Sequence, residues 1–109
     1  MTFIVIIIHK FLGYASIGCF WDTGNRAIAT LEGTDPRLDG GYQSRINAIE
    51  KCAAVARDRG YHMFALQHGG WCASSCTACQ TYNMYGPSDA CGGDGEGGGW
   101  ANHVYILVD

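Results

Sequence analysis

A chain of 109 residues is one small domain, long enough to bury only about 60–65% of the surface its unfolded form exposes. Its net charge of −3 is mild, and its seven Lys and Arg residues are spread along the chain. There is thus no basic face to neutralise phosphates, and no apolar run long enough to cross a bilayer, which excludes nucleic-acid binding and a membrane span.

The chain starts with "MTFIVIIIHKFLGYAS". Residues 1–16 are expected to be either a signal peptide, with Ala15-Ser16 offered for cleavage, or a buried strand dense in β-branched residues. "YASIGCFW" from Tyr14 to Trp21 reads as a strand that stops at the turn cluster Asp22-Thr23-Gly24-Asn25. "RAIATLEG" adds a short extended piece, and Thr34–Tyr42 reads as loop. "NAIEKCAAVARDR" predicts a helix over Asn47–Arg59, with Asn47 and Glu50 as a capping box and Ile46, Ile49, Cys52, Ala53 and Ala56 on one apolar stripe. Arg57 and Arg59 suit the negative end of the dipole, and Gly60 supplies a left-handed stop.

"YHMFALQ" predicts a strand over Tyr61–Gln67, with Met63, Ala65 and Gln67 on one face and His62, Phe64 and Leu66 on the other. Gly69-Gly70 ends it and Trp71-Cys72 opens another short strand. Asp89–Gly99 is a glycine-dense loop, and "WANHVYILVD" closes the chain as a strand. One helix among several strands, with no strand–helix alternation, predicts an α+β fold: the helix packed on a small twisted antiparallel sheet and stapled by disulfides.

Six cysteines, Cys19, Cys52, Cys72, Cys76, Cys79 and Cys91, are an even number at scattered positions. Cys72, Cys76 and Cys79 form C-x-x-x-C-x-x-C, the spacing by which radical S-adenosylmethionine enzymes hold an iron–sulfur cluster. That chemistry needs a large barrel, and this chain is too short for one. "CTAC" lacks the βαβ setting of a thioredoxin-like redox pair. A zinc set of Cys72, Cys76, Cys79 and either His68 or Cys91 lacks the paired knuckles of structural zinc sites. The reading kept is that all six form structural bridges, each adding about 2–4 kcal/mol.

Over Tyr14 to Val108 the chain resembles the WSC domain, an extracellular cysteine-rich module. "YASIGCFWDTGNRAI" is similar to the family opening, "NAIEKCAAVARDRGYHMFALQHGGWC" to its middle and "ACGGDGEGGGWANHVYIL" to its end. Two family cysteine positions are occupied by Ala56 and Ser74, consistent with loss of one bridge as a unit, and the glycine run Gly95–Gly99 is longer than the family pattern. The resemblance implies a fold like the PAN/apple modules and a role in binding glycans or partners outside the cell. Six cysteines allow fifteen pairings; the pairing preferred within this resemblance is Cys52–Cys72, tying helix to sheet, and Cys19 with a cysteine nearer the C-terminus.

A sugar site needs an aromatic face together with fixed polar groups. The stretch Asp94–His103 provides both: Trp100 to stack, and Asp94, Glu96, Asn102 and His103 as polar partners, with glycines that permit close approach. The competing expectation is that Trp100 packs on the core and the glycines only turn the chain. Calcium is a possible cofactor at Asp94 and Glu96, although the D-x-D-x-D-G series is missing. Trp21 and Trp71 are expected to pack, and Asp22 with Arg26 to form a structural ion pair. No nucleophile elbow or catalytic carboxylate pair appears, so no enzyme activity is expected. The expected function is a secreted lectin, with homo-oligomers as a route to multivalency; the alternatives are a protein-interaction module and a structural matrix or defence protein.

Overall fold

The structure, a computed structural model, describes residues 13–108. The expected leader or strand over 1–16 lies outside the described residues except for its last four. Those four, Gly13–Ser16, belong to strand β1 (Gly13–Trp21), so Ala15 and Ser16 are paired strand residues. Strands β2 (Met63–Gln67), β3 (Trp71–Ser74) and β4 (Ala101–Val108) complete an antiparallel sheet in the order β1-β4-β2-β3. Helix α1 (Ala48–Asp58) lies on one face, which is the α+β arrangement expected. A second, single-turn helix, α2 (Ala78–Thr81), belongs to the opposite side.

Helix α1 ends as its residues dictate. Gly60 takes a φ of 76°, its N–H bonds Arg57 O at 3.0 Å, and the N–H of Tyr61 bonds Ala56 O at 3.0 Å. Those two bonds are the Schellman pattern, and glycine adopts the left-handed conformation at little steric cost. Its start departs from expectation. Asn47 is itself left-handed, at φ 55°, and its side chain makes no capping bond. Side-chain capping needs an extended N-cap residue. Glu50, freed of the capping box, accepts a hydrogen bond from Tyr14 Oη at 3.0 Å. Ile46 lies before the helix and is 73% exposed, off the stripe assigned to it. Arg57 donates to the carbonyls of Gly13 and Val108 at the open end of the β1–β4 pair.

Every residue of β2 is buried, because both faces of the sheet are covered. Phe64 and Leu66 face α1 with Cys52, Val55, Cys72 and Tyr105. Met63 and Ala65 face the other way, against Ala27, Ile28, Ala73, Ala78 and Val104. Full burial of a side chain such as Phe64 contributes roughly 2–3 kcal/mol. The second face is closed by Ala27 and Ile28 and by the segment around Ser75–Ser88. Thr81 Oγ1 donates to Ala27 O, Phe20 meets Tyr82 edge to face at 5.1 Å, and Thr30 bridges to Ala73. The "RAIATLEG" piece starts on this face with Ala27 and Ile28 and then runs beside β3 as the short extended piece expected, with Leu31 N–H on Cys72 O and Ser74 N–H on Ala29 O.

Cys52 is bonded to Cys72, joining α1 to β3, and Cys19 to Cys91, joining β1 to the glycine-dense loop. Both follow the preferred pairing. Cys76 and Cys79 do not: they are free and exposed, on the solvent side of α2 and the turn before it. With the other four sulfurs bonded in two pairs, each has only the other left, and no bond joins them. A third staple is made without sulfur. Arg45, its side chain only 2% exposed, grips Glu32 with both terminal nitrogens (2.7 and 2.8 Å) and also donates to Leu38 O and Gly70 O. Glu32 in turn accepts the N–H of Cys72 at 2.8 Å.

Candidate functional site

The strand register aligns Trp71 with Gln67, Gln67 with Asn102, and Asn102 with Phe20. This row crosses the end of the sheet, on the face away from α1. Above it the turn after β1 folds back, as expected, into an ion pair: Arg26 Nη1 donates to Asp22 Oδ2 at 3.1 Å. The Asp22 side chain is fully buried and accepts two further bonds, from Ala27 N–H and from Gln67 Nε2, each at 2.8 Å. Gln67 Nε2 also donates to Asn102 Oδ1 at 3.0 Å. Asp22, Gln67 and Asn102 thus form a buried polar chain whose members fix one another's orientation.

The guanidinium of Arg26 lies between two indole rings. Its Cζ is 4.3 Å from the Trp71 ring centroid and 4.8 Å from that of Trp100. Such cation–π contacts are each worth about 0.5–1 kcal/mol at exposed sites. Trp100 is held in place by its backbone, left-handed at φ 56°, whose carbonyl accepts the N–H of Asp22 at 2.9 Å. The residue stays 52% exposed. Together with Tyr42 and His68 these groups line a hollow of about 190 Å³. His68 is also left-handed, at φ 52°, which turns it out of β2 toward Tyr42.

The five residues expected to bind ligand do not form one site. Trp100 rims the hollow, whereas Asn102 is buried behind it and does not line it, its Oδ1 taken by the lining residue Gln67. His103 points to the opposite face because neighbouring strand residues alternate. There it stacks on Tyr105 at 4.8 Å, and Ser16 Oγ meets its Nε2 at 2.9 Å; burial pushes its pKa down. Asp94 and Glu96 also lie on that side, around Tyr105, whose Oη donates to Gly95 O at 2.6 Å. Asp94 Oδ1 is occupied by the N–H of Glu96, and burial, with Asp94 and Glu50 nearby, raises the Glu96 pKa.

Nor do the loop glycines wait for a ligand. A Cβ on Gly97 would strike Leu66 O and Ala101 O, and one on Gly98 would strike Ala90 O. The close approach they allow is to the chain's own backbone. Among the described residues no group of three or more His, Cys, Asp or Glu gathers as a metal donor set.

Arg26, Gln67, Trp71, Tyr42 and His68 carry the hollow and were not assigned to it from sequence. Strand parity was the available signal: Gln67 and Asn102 each end a strand's run on the face away from the helix, whereas His103 does not. Comparison with protein-family models, curated proteins and solved structures found no match. Likeness to the WSC domain therefore stands on the motifs quoted above.

Proposed function

We propose that this is a secreted carbohydrate-binding domain and that its sugar site is the hollow lined by Arg26, Tyr42, His68 and Trp100. The observation that carries the reading is a half-exposed indole beside fixed polar groups, Arg26 and the Gln67 amide among them. Sugars are bound by that combination, an apolar ring face on an aromatic and hydroxyls on oriented donors and acceptors. At about 190 Å³ the hollow is smaller than the roughly 300–1,000 Å³ of a drug-sized site, which favours one sugar ring over a long oligosaccharide. The two disulfides support an oxidising compartment, and no described helix is long and apolar enough to cross a membrane.

A glycan array displaying sugars at high density tests this, because clustering amplifies weak single-site binding. The expected result is selective binding, unchanged by a calcium chelator and lost in Trp100→Ala with the fold intact by circular dichroism. A flat array for the wild-type protein overturns the reading in favour of a protein-interaction module. Binding that survives Trp100→Ala places the sugar elsewhere on the molecule.

A further inference from the structure

The Arg26 fork is only partly used. Its Nη1 serves Asp22 and lies 3.5 Å from Gln67 Oε1, while Nε and Nη2 have no hydrogen-bond partner among the described residues. The side chain is 34% exposed and lines the hollow. An arginine stacked between two indoles has lost most of its rotamer freedom, so its open edge is presented at a set angle. Such an edge, two parallel N–H donors on a delocalised cation, matches a planar carboxylate in bidentate fashion.

The rest of the lining agrees in sign. Arg26, Tyr42, Gln67, His68, Trp71 and Trp100 include no acidic side chain. Asp22 sits beneath the guanidinium with its side chain fully buried, and its charge is shared among three donors, Arg26, Gln67 and the Ala27 N–H. The carboxylates expected to bind ligand, Asp94 and Glu96, lie around Tyr105 on the far side of the sheet. A neutral sugar would leave Nε and Nη2 facing hydroxyls that a less specialised side chain would serve equally well.

We infer that the hollow selects an acidic sugar, a uronic or sialic type, and that the free edge of Arg26 binds its carboxylate. This builds on the proposed sugar site and narrows its substrate class. The ring of the sugar lies against Trp100, and its carboxylate accepts hydrogen bonds from Nε and Nη2. Charge-assisted hydrogen bonds are about twice as strong as neutral ones.

The test uses the full, disulfide-bonded wild-type chain and matched ligands, methyl glucuronide against methyl glucoside, titrated by NMR or calorimetry. The uronide is expected to bind at least about tenfold tighter than the glucoside, a preference that shrinks at high salt. Arg26→Lys, which keeps the charge and removes the fork, is expected to lose most of that preference while melting within a few degrees of wild type. If a sulfated glucoside outcompetes the uronide, the carboxylate assignment is overturned. Equal binding of uronide and glucoside overturns the acidic selectivity but leaves the sugar site standing. Failure of both ligands together with a flat array overturns the sugar site itself, and the selectivity falls with it.

Discussion

Replacing Asp22 with asparagine is expected to unfasten the floor of the hollow while barely altering its shape. Asp22 Oδ1 accepts the Ala27 N–H at 2.8 Å, and Oδ2 accepts Gln67 Nε2 at 2.8 Å and Arg26 Nη1 at 3.1 Å. An amide that keeps Oδ1 on Ala27 turns its own NH2 toward the other two donors. The Gln67 and Asn102 amides can both flip to relieve part of this. Asn102 Nδ2, buried and unpartnered among the described residues, would then gain Gln67 Oε1 as acceptor. Arg26 has no such rescue. Hydrogen bonds to a buried charge contribute about 1.5–3 kcal/mol each, discounted here because Arg26 is a third exposed. Asp22→Asn is therefore expected to destabilise by about 2–4 kcal/mol, and to lower Tm by roughly 10–25 °C for a domain of this size. Urea unfolding with the disulfides intact, followed by tryptophan fluorescence, reads both the loss and any loosening of Trp71 and Trp100. Asp39→Asn, at an exposed position, is the control and should change stability by less than about 0.5 kcal/mol. An Asp22→Asn loss as small as that of the control would refute the view that Asp22 organises the site.

Loop-closure entropy ranks the two bridges. Removing Cys19–Cys91, 72 residues apart, as a double alanine variant is expected to cost about 4 kcal/mol. Removing Cys52–Cys72, 20 apart, should cost about 3 kcal/mol from closure, plus the packing of two fully buried sulfurs, measured by the same unfolding assay. Without reductant, alkylation and peptide mapping should label Cys76 and Cys79 alone; label on Cys52 or Cys72 would contradict the fold. Alkaline pH isolates Tyr105, whose hydroxyl is pushed up to about 12, chiefly by burial. The unfolded phenol ionises near pH 10, so its stabilising contribution is whole below that and lost as pH rises through about 12. Tyr105→Phe should flatten most of that decline in a denaturation series; an unchanged slope would assign it to other groups, Tyr14 first, since its pKa is also raised.

Much of the fold was legible because short-range rules govern it. The stop of α1 at Gly60, the alternation Met63–Gln67 and the Asp22–Arg26 pair four residues apart all involve near neighbours. Where longer-range contacts compete, the expectations fail for identifiable reasons. Asn47 has an ideal capping side chain, but the path from the preceding turn sets its backbone left-handed. Contiguity made Asp94–His103 look like one site. The chain instead passes through the end of the sheet there, so strand parity sends His103 one way and Asn102 the other. Trp71 was expected only to pack, because nothing local shows that Arg26, 45 positions earlier, would lie on its ring.

Composition and periodicity by themselves determined the class of molecule: a small α+β unit stapled by sulfur, with one amphipathic helix and strands of known parity. These follow from helical and strand periods, which each segment carries internally. Tertiary structure alone decided which cysteines stay free and which side chains share the hollow. Both depend on strand order and register, where residues from four separate segments meet, and a one-residue slip in any strand would have sent a different set inward.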